Sequence, residues 1–143
     1  MNVKPLHPGF KCPTRGTGKS GGFDIYMPEG GMVTARGHEA IKIGLGFAAE
    51  VPEGHVAKIY PRSGKGVKHG LALNNTVGII DADYRGEWMV GIRIHDNEDF
   101  FWEAGERLFQ FVIVPVETPE LTVVDELDDS ERGSGGFGST GDK

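Results

Sequence analysis

The fold of this chain is constrained most by the way turns divide it into short apolar segments. The sequence has 23 glycines among 143 residues. Apolar or alternating segments, such as 40–47 and 55–60, are separated by turn signals such as Pro52-Glu53-Gly54. Strands that recur at intervals of about 8–12 residues, with turns between them, indicate a sandwich or a barrel. Because few segments have a helical pattern, we predict an all-β fold.

Length and charge restrict the class of protein. A chain of 143 residues is one domain and is long enough to bury a core. The net charge of −6 and the pI of about 5.3 argue against nonspecific nucleic-acid binding, so a polyanionic ligand would need local cations or a metal. Cys12 is the single cysteine, which excludes a disulfide framework. No apolar run approaches the roughly 20 residues of a membrane span, and no signal-peptide pattern is visible. We expect a cytoplasmic protein, or one inside the host cell if viral, that is not secreted.

Residues 74–87 contain the closest grouping of polar and charged side chains in the sequence. Asn74 and Asn75 favour a turn, and a short apolar run follows, which is typical of one arm of a hairpin. The run ends in Asp81-Ala82-Asp83-Tyr84-Arg85-Gly86, which places two carboxylates, a phenol and a guanidinium within five residues. Unpaired Asp and Arg are almost never fully buried, so these groups belong to a surface site or to a solvated hairpin end.

Three shorter fragments have a possible chemical role, although each alone is also typical of an ordinary turn or strand. Gly21-Gly22-Phe23-Asp24 places paired glycines before a strand, where another group could approach the backbone closely. Pro61-Arg62-Ser63-Gly64 offers a hydroxyl and free backbone N–H groups, which suit phosphate oxygens. Gly105 to Val116 is a long apolar strand with Gln110 inside it. A buried amide without a partner costs roughly 1–3 kcal/mol, so we predict a partner for Gln110.

The C-terminal segment begins with an acidic, solvated connector, residues 125–131, and continues as a glycine-rich tail, 132–143. A flexible linker is one interpretation of the tail. The other is a flap in which Phe137 stacks on a base, a contact worth roughly 1–3 kcal/mol, and Arg132 and the hydroxyls contact phosphates. Such a tail would be disordered without ligand. Gly18-Lys19-Ser20 and Gly133 to Gly138 match nucleotide-binding patterns only formally, because neither lies between a strand and a helix.

Several local predictions complete the outline. Residues 1–20 are expected to form an extended opening strand and a loop, and 65–70 either one helical turn or an irregular loop. Segments 87–94 and 99–102 are expected to form a hairpin around 95–98, and Leu121 to Val124 a last short strand. The predicted division is therefore a β domain over 1–124, followed by the connector and the tail.

Five of these fragments, taken in their order along the chain, resemble the five motifs of the trimeric dUTP pyrophosphatases (dUTPases). The fragment that begins at Gly21 resembles the first motif, Pro61 to Gly64 the second, Asn74 to Glu87 the third, the start of the Gly105 strand the fourth, and the tail the fifth. Gly21 stands where the first motif usually has Ala, and Leu108-Phe109 where the fourth usually has Ile-Ala. The resemblance covers about 21–141. It implies a jelly-roll or distorted β-barrel of the dUTPase type and a homotrimer with shared active sites. It also implies Mg²⁺-assisted hydrolysis of dUTP to dUMP and pyrophosphate, which keeps uracil out of DNA and supplies dUMP for dTMP synthesis.

The resemblance also implies residue roles. Asp81 would be the catalytic residue that deprotonates the attacking water, since the proton leaves only as charge develops on the phosphate. Tyr84 would exclude a 2′-hydroxyl, Asn75 would pair with uracil, and Asp24 would reach Mg²⁺ through water. Arg62, Arg85 and Arg107 would brace carboxylates. The full substrate-binding set is Arg62, Ser63, Gly64, Asn75, Gly78, Tyr84, Gln110, Arg132, Phe137, Gly138, Ser139 and Thr140.

Three alternatives remain open from the sequence. A dCTP deaminase-like enzyme of related fold would read a similar nucleotide, but no spare Glu is assigned as its base. A non-catalytic regulatory or structural trimer could retain the fold. A metalloprotein using histidines is less favoured, because positions 7, 38, 55, 69 and 95 show no close ligand spacing.

Overall fold

The structure is a computed structural model that describes residues 1–35, 41–95 and 97–136. These residues form short strands and one short helix, which confirms the all-β prediction. The elements are β1 (Val3–Pro5), β2 (Phe23–Tyr26), β3 (Gly31–Val33), β4 (Ile41–Gly44), β5 (Phe47–Ala49), β6 (His55–Pro61), α1 (Ser63–His69), β7 (Leu71–Leu73), β8 (Gly78–Ile80), β9 (Met89–Ile94), β10 (Phe100–Trp102) and β11 (Arg107–Pro115). No helix in the described ranges is long and apolar enough to cross a membrane.

The strands form four antiparallel sheets. A four-stranded sheet has the order β2-β11-β6-β8, a three-stranded sheet the order β4-β9-β7, and two pairs are β1-β5 and β10-β3. Buried side chains from these sheets form one hydrophobic cluster. Trp88 lies at its centre, 5.0 Å from the ring of Phe47 and 5.1 Å from the ring of Phe111 between centroids. Aromatic packing of this kind fixes β11 against β5 and the start of β9.

An irregularity in β11 determines which of its side chains face the core. Leu108 and Phe109 are both fully buried, although neighbours in a regular strand point to opposite faces. The register to β2 shifts between Arg107 and Phe109, and this bulge allows both side chains into the core. It also places Gln110, half-buried, opposite Asp24. The large Phe109 is thus accommodated inside the core beside the fourth motif.

Helix α1 confirms the helical alternative for the segment after Ser63. Its last residue is followed by Gly70 in the left-handed conformation (φ 59°), whose N–H donates to the carbonyl of Lys65. Glycine accepts this conformation without the steric penalty of a Cβ atom, so it ends the helix after two turns. The short helix keeps Ser63 and Gly64 at the end of β6.

Two predicted pairings were wrong. Strand β10 pairs with β3 and β9 pairs with β4 and β7, so β9 and β10 do not form the predicted hairpin, whose turn includes Asp96, outside the described residues. Phe100 and Trp102 are buried in this arrangement. Similarly, β7 and β8 flank the turn at Asn75, but β7 pairs with β9 and β8 with β6. Alternation predicts which face of a strand is buried, but it does not identify the neighbouring strand.

The last predicted strand was also wrong. Residues 121–124 have no ladder partner in the described chain, and the side chains of Leu121 and Val123 are 93% and 99% exposed. The final backbone hydrogen bond before this segment is from the N–H of Val116 to the carbonyl of Gly54. An apolar segment without a partner strand gains neither burial nor ladder hydrogen bonds. Strand β11 is therefore the last strand along the described chain.

Candidate active site

The first, second and fourth motifs meet at one cavity of about 370 Å³. The ladders explain this, because β11 lies between β2 and β6 and sets Gln110 opposite both Asp24 and Tyr60. The cavity is lined by Gly16, Ser20, Gly21, Gly22, Asp24, Arg62, Ser63 and Gln110. Sequence fragments far apart in the chain therefore share one concave surface.

Asp24 is the charged centre of this cavity. It is 8% exposed, and its two carboxylate oxygens lie 2.9 Å from Arg62 Nε and 3.0 Å from Arg107 Nη1. A buried carboxylate is costly unless it is paired, and these two guanidinium groups supply the pairing. The predicted bracing of Asp24 by Arg62 and Arg107 is present. Their net positive charge also makes the cavity favourable for an anion.

Gln110 lines the cavity and its amide group is only weakly bound within the chain. Its Nε2 donates to the carbonyl of Pro61 across a long 3.5 Å. Its Oε1 faces Gly22, where a Cβ atom would lie 3.1 Å away. The paired glycines thus allow a close approach, as the sequence indicated. The amide retains most of its hydrogen-bonding capacity for a ligand.

A second cavity, of about 430 Å³, continues from the first along α1. It shares Arg62 and Ser63 and adds Gly64, Lys65, Lys68 and His69. Lys65 Nζ lies 3.0 Å from Glu106 Oε2, so one of these cations is paired. Sequence reasoning assigned no role to Lys65, Lys68 or His69. The only signal for these residues was their spacing along one helix. A helix of seven residues is too short for that spacing to show a clear periodicity.

Sequence reasoning also missed Gly16 and Ser20. The pattern Gly18-Lys19-Ser20 was correctly rejected as a P-loop, since the segment forms a hydrogen-bonded loop before β2. The hydroxyl of Ser20 accepts from the N–H of Thr17 at 3.0 Å, and the N–H of Ser20 donates to the carbonyl of Thr17 at 3.2 Å. This hydrogen-bonded loop forms one wall of the 370 Å³ cavity through Gly16 and Ser20.

The third motif forms a compact turn after β8. The hydroxyl of Tyr84 donates to the carbonyl of Glu87 at 3.0 Å, and a Cβ atom at Gly86 would collide with the Tyr84 ring. Arg85 donates to the carbonyls of Ala82, at 2.7 Å, and Tyr84, at 3.3 Å. Its nearest carboxylate is Glu50, at 4.0 Å. Arg85 therefore braces the backbone of the turn, and the carboxylate that it contacts is that of Glu50.

Asp81 and Asn75 lie on the surface at opposite ends of β8. Both residues are exposed. Among the described residues, the Asp81 carboxylate has no hydrogen bond or ion pair, and its backbone carbonyl accepts from the N–H of Tyr84 at 3.2 Å. Gly78, at the Asn75 end, is buried against Ile59. The motif thus presents a carboxylate at one end and amides at the other.

Asp81 does not reach the cavity within one chain. Ile80 is opposite Ala57 in the ladder, whereas Ser63 lies six positions further along β6 and the start of α1. At about 3.3 Å per residue, the four steps from Ala57 to the end of β6 at Pro61 span about 13 Å, and Ser63 lies beyond that end. Neither cavity beside Ser63 includes Asp81, Asn75 or Tyr84 among its lining residues.

The tail is only partly described. Arg132 is exposed in a turn in which the N–H of Gly133 donates to the carbonyl of Ser130 at 3.0 Å. It does not line the cavities beside Ser63. Phe137, Gly138, Ser139 and Thr140, which were predicted to contact substrate, lie outside the described residues.

A sequence model of the dUTPase family matches residues 9–141, which include this entire constellation. The chain belongs to the dUTPase family. The resemblance to this family is confirmed. The deoxyuridine 5′-triphosphate nucleotidohydrolase of Psychrobacter cryohalolentis is 44% identical, covering 99% of this chain and 97% of the relative. That of Arabidopsis thaliana is 43% identical, covering 99% and 82%.

Solved structures of dUTPases have the same fold as this family member. The dUTPase of Staphylococcus bacteriophage 80alpha with dUpNHpp matches with a TM-score of 0.87 at 31% identity, covering 98% of this chain and 97% of that one. A mutant dUTPase of phage phi11 of S. aureus, whose structure describes the coordination of a structural Mg(II) ion, matches with a TM-score of 0.76 at 27% identity, covering 87% and 96%. The chain thus has the all-β jelly-roll fold of the dUTPases and is a dUTP nucleotidohydrolase. The deaminase-like and non-catalytic alternatives are not supported.

Proposed function

We propose that this dUTPase cleaves dUTP to dUMP and pyrophosphate at a site assembled from several copies of the chain in a homotrimer. The observation that carries the proposal is the separation of its two halves. A cation-braced cavity beside Ser63 fits phosphates, while Asp81 lies beyond the opposite end of the β6–β8 ladder and lines neither cavity at Ser63. A second copy can supply the missing half, since the exposed third motif is available to it.

The phosphate chain would bind in the cavity beside Ser63. Ser63 and Gly64 offer a hydroxyl and backbone N–H groups at the start of α1, and Gln110 offers an amide with spare hydrogen bonds. Arg62 lies at the edge of both cavities, and its charge is shared with Asp24. Fixed donors of this kind stabilise negative charge without reorganising during the reaction.

Asp81 of another copy would act as the general base. Its carboxylate accepts the proton of the water that attacks the α-phosphorus, while the bond from that phosphorus to the bridging oxygen breaks and pyrophosphate leaves. The carboxylate has no partner among the described residues, so both oxygens can orient the water and accept the sugar 3′-hydroxyl. Tyr84, fixed through its bond to Glu87, would lie against the deoxyribose and exclude a 2′-hydroxyl.

The base would bind at the turn before β8. Asn75 and neighbouring backbone groups would pair with the polar edge of uracil, and the buried Gly78 would hold the turn close to the sheet. Donors and acceptors placed to match uracil would remain unpaired if cytosine bound instead. The site therefore disfavours dCTP. The tail of a further copy would cover the nucleotide through Arg132, Phe137, Gly138, Ser139 and Thr140.

The residues present fit a Mg²⁺ ion that enters with the substrate. Among the described residues no group of three His, Cys, Asp or Glu could hold a metal directly. Each oxygen of Asp24 contacts one guanidinium and retains capacity for a water ligand. Asp24 would therefore hold the ion through water, as Mg²⁺ usually keeps several waters and takes further ligands from phosphates. When bound, the ion would neutralise charge on the phosphates. Free, exposed Cys12 suits a reducing compartment, and we place the activity in the cytoplasm.

The test is pyrophosphate release from dUTP, dTTP, UTP and dCTP, each with and without Mg²⁺. We expect rapid release from dUTP with Mg²⁺, strong loss without it, and little release from the other nucleotides. Equal release from dUTP and UTP, or ammonia released from dCTP, would contradict the proposed specificity. Such a dUTPase would keep uracil out of DNA and supply dUMP for dTMP synthesis.

A further inference from the structure

The turn that carries Asp81 crosses from one sheet to another. It begins after Ile80, the last residue of β8 in the four-stranded sheet. It ends before Met89, the first residue of β9 in the three-stranded sheet. Residues 81–88 belong to neither strand. Because no ladder holds these residues, other contacts must determine where the turn lies on the sheets.

The side chain of Glu87 attaches this turn to the loop between β4 and β5. Its Oε1 accepts from the N–H of Gly46 at 3.0 Å, a contact between residues 41 positions apart, and Glu87 is half-buried. The same carboxylate fills the space beside Gly44, where a Cβ atom would collide with it. The absence of a side chain at Gly44 thus lets the carboxylate reach Gly46.

Gly46 is itself held in place by its neighbours. Its φ is +76°, a conformation that glycine adopts without a steric penalty. A Cβ atom there would lie 3.0 Å from the side chain of Pro28 and 3.1 Å from that of His7. Its carbonyl accepts from the N–H of Leu6 at 2.8 Å. These contacts fix the direction in which the N–H of Gly46 points towards Glu87.

Hydrogen bonds continue from Glu87 to Asp81. The carbonyl of Glu87 accepts from the hydroxyl of Tyr84 at 3.0 Å, and the N–H of Tyr84 donates to the carbonyl of Asp81 at 3.2 Å. On the other side of Glu87, the N–H of Trp88 donates to the carbonyl of Phe47 at 2.9 Å and fixes the chain after the turn. The carboxylate of Glu87 therefore attaches the turn at the point where it leaves the sheet.

Arg85 gives the turn a weaker attachment. Its Nε lies 4.0 Å from Glu50 Oε1, and the two side chains are 58% and 50% exposed. An exposed ion pair at this distance contributes little, whereas a hydrogen bond to a charged acceptor in a half-buried position contributes more. The bonds of Arg85 to the carbonyls of Ala82 and Tyr84 lie inside the turn and do not attach it to a sheet.

We infer that Glu87 is a positioning residue, which holds the Asp81 carboxylate in place for the reaction by fixing the turn to Gly46. The inference rests on the proposed role of Asp81 as the general base. A base must lie within hydrogen-bond reach of the attacking water, and a misplacement of about 1 Å can lower a rate about 10²-fold. The Glu87 carboxylate acts through the backbone of the turn, because it faces Gly44 and Gly46.

Four single variants test this attachment. Glu87→Ala removes the carboxylate, and Glu87→Gln keeps an oxygen that can accept from Gly46. Gly44→Ala keeps Glu87 but puts a methyl group where its carboxylate lies, and Gly44 has no positive φ, so its backbone accepts alanine. The matched control is Glu53→Ala, because Glu53 is exposed and its side chain has no hydrogen bond among the described residues.

Steady-state kinetics with dUTP are measured well below the melting temperature of each variant. In Glu87→Ala and Gly44→Ala, kcat and kcat/KM should fall together by about ten- to a hundredfold with KM nearly unchanged, since Ser63, Gln110 and Asn75 lie outside the turn. Glu87→Gln should recover most of the parental kcat, and Glu53→Ala should retain all of it. Adding Gly44→Ala to Glu87→Ala should cause no further loss, because the displaced carboxylate is already absent.

A parental kcat in Glu87→Ala, with or without a lower melting temperature, would overturn the inference. Equal losses in Glu87→Ala and Glu87→Gln would also overturn it, as would fully additive losses in the double variant. If Glu87→Ala does not fold, the kcat of Gly44→Ala decides, and a parental value would overturn the inference. Asp81→Asn is measured in the same series. A parental kcat in that variant would refute the proposed general base, whichever result the Glu87 variants give.

Discussion

Arg62 Nε and Asp24 Oδ1 lie 2.9 Å apart and join the first motif to the second at the edge of the cavity beside Ser63. The residue that precedes Ser63 is thereby fixed to β2, and Arg107 ties the same carboxylate to β11. Three strands of one sheet thus converge on one buried charge. The position of Ser63, the proposed phosphate donor, depends on this charge, so its removal should affect both stability and substrate binding.

Asp24→Asn keeps the shape of the side chain and removes its charge. Two guanidinium groups then lose their counter-ion, and we expect unfolding to become easier by about 1–3 kcal/mol, with a higher KM for dUTP. Glu106→Gln is the control, because the Glu106 carboxylate is more exposed than that of Asp24 and has one cationic partner, so its loss should cost about 1 kcal/mol or less. Urea denaturation measures both variants. Equal effects in the two would show that the buried pair has no special role.

Gly22→Ala tests the close approach of β2 to Gln110. The new Cβ atom would lie 3.1 Å from Gln110 Oε1 and displace the amide, so kcat/KM for dUTP should fall about tenfold or more. Gly21→Ala is the matched control, since nothing lies within 4 Å of its Cβ position. It should retain parental kinetics. If kcat/KM fell as much in Gly21→Ala as in Gly22→Ala, displacement of the Gln110 amide would not be the cause of the loss.

Tyr84→Ala tests the exclusion of ribonucleotides. Removing the ring opens space beside the sugar, so kcat/KM for UTP should rise relative to dUTP. Tyr84→Phe keeps the ring and loses only the bond to the Glu87 carbonyl, and its selectivity should remain near that of the parent. If the ratio of kcat/KM for dUTP to that for UTP were unchanged in Tyr84→Ala, other residues would be responsible for excluding the ribonucleotide.

Asp81→Asn removes the proposed base and keeps its shape. Hydrolysis should fall by about 10²–10⁴, the usual loss for a general base, while dUTP still binds. Asp83→Asn changes a neighbouring exposed carboxylate and should alter the rate only a few-fold. Single-turnover kinetics and equilibrium binding separate the two effects. Near-parental turnover in Asp81→Asn would refute the assignment.

The sequence predicts the fold class well and the strand partners poorly. Alternation and turn signals located β6 and β11, because each has a clear buried face and a glycine or proline boundary. The same signals suggested a strand at Leu121, where no described partner strand exists. They also suggested that β9 pairs with β10, although β10 pairs with β3. Pairing depends on contacts distant in sequence, which a local pattern does not contain.

The sequence also predicted only part of the candidate site. Asp24, Ser63 and Gln110 were identified from their motifs, and the structure brings them together at one cavity. Ser20 was missed, since a loop hydroxyl has no periodic signal. The positive φ of Thr76 was also missed, because its residue type disfavours that conformation. Strained positions conflict with local propensity, so sequence reasoning fails at them.

The shared site is tested most directly by mixing two inactive variants. One is Asp81→Asn, and the other is truncated after Glu131, which removes the tail beyond an exposed connector and should leave the melting temperature nearly unchanged. Each alone should be nearly inactive. They are unfolded and refolded together, and the mixed trimers are confirmed by native mass spectrometry.

If Asp81 and the tail of one site come from different chains, random mixing gives a good Asp81 and a good tail at about a quarter of the sites. Activity should therefore return to about a quarter of the parental value. Mixed trimers without recovered activity would contradict the shared site, because each complete site would then require both parts from a single chain.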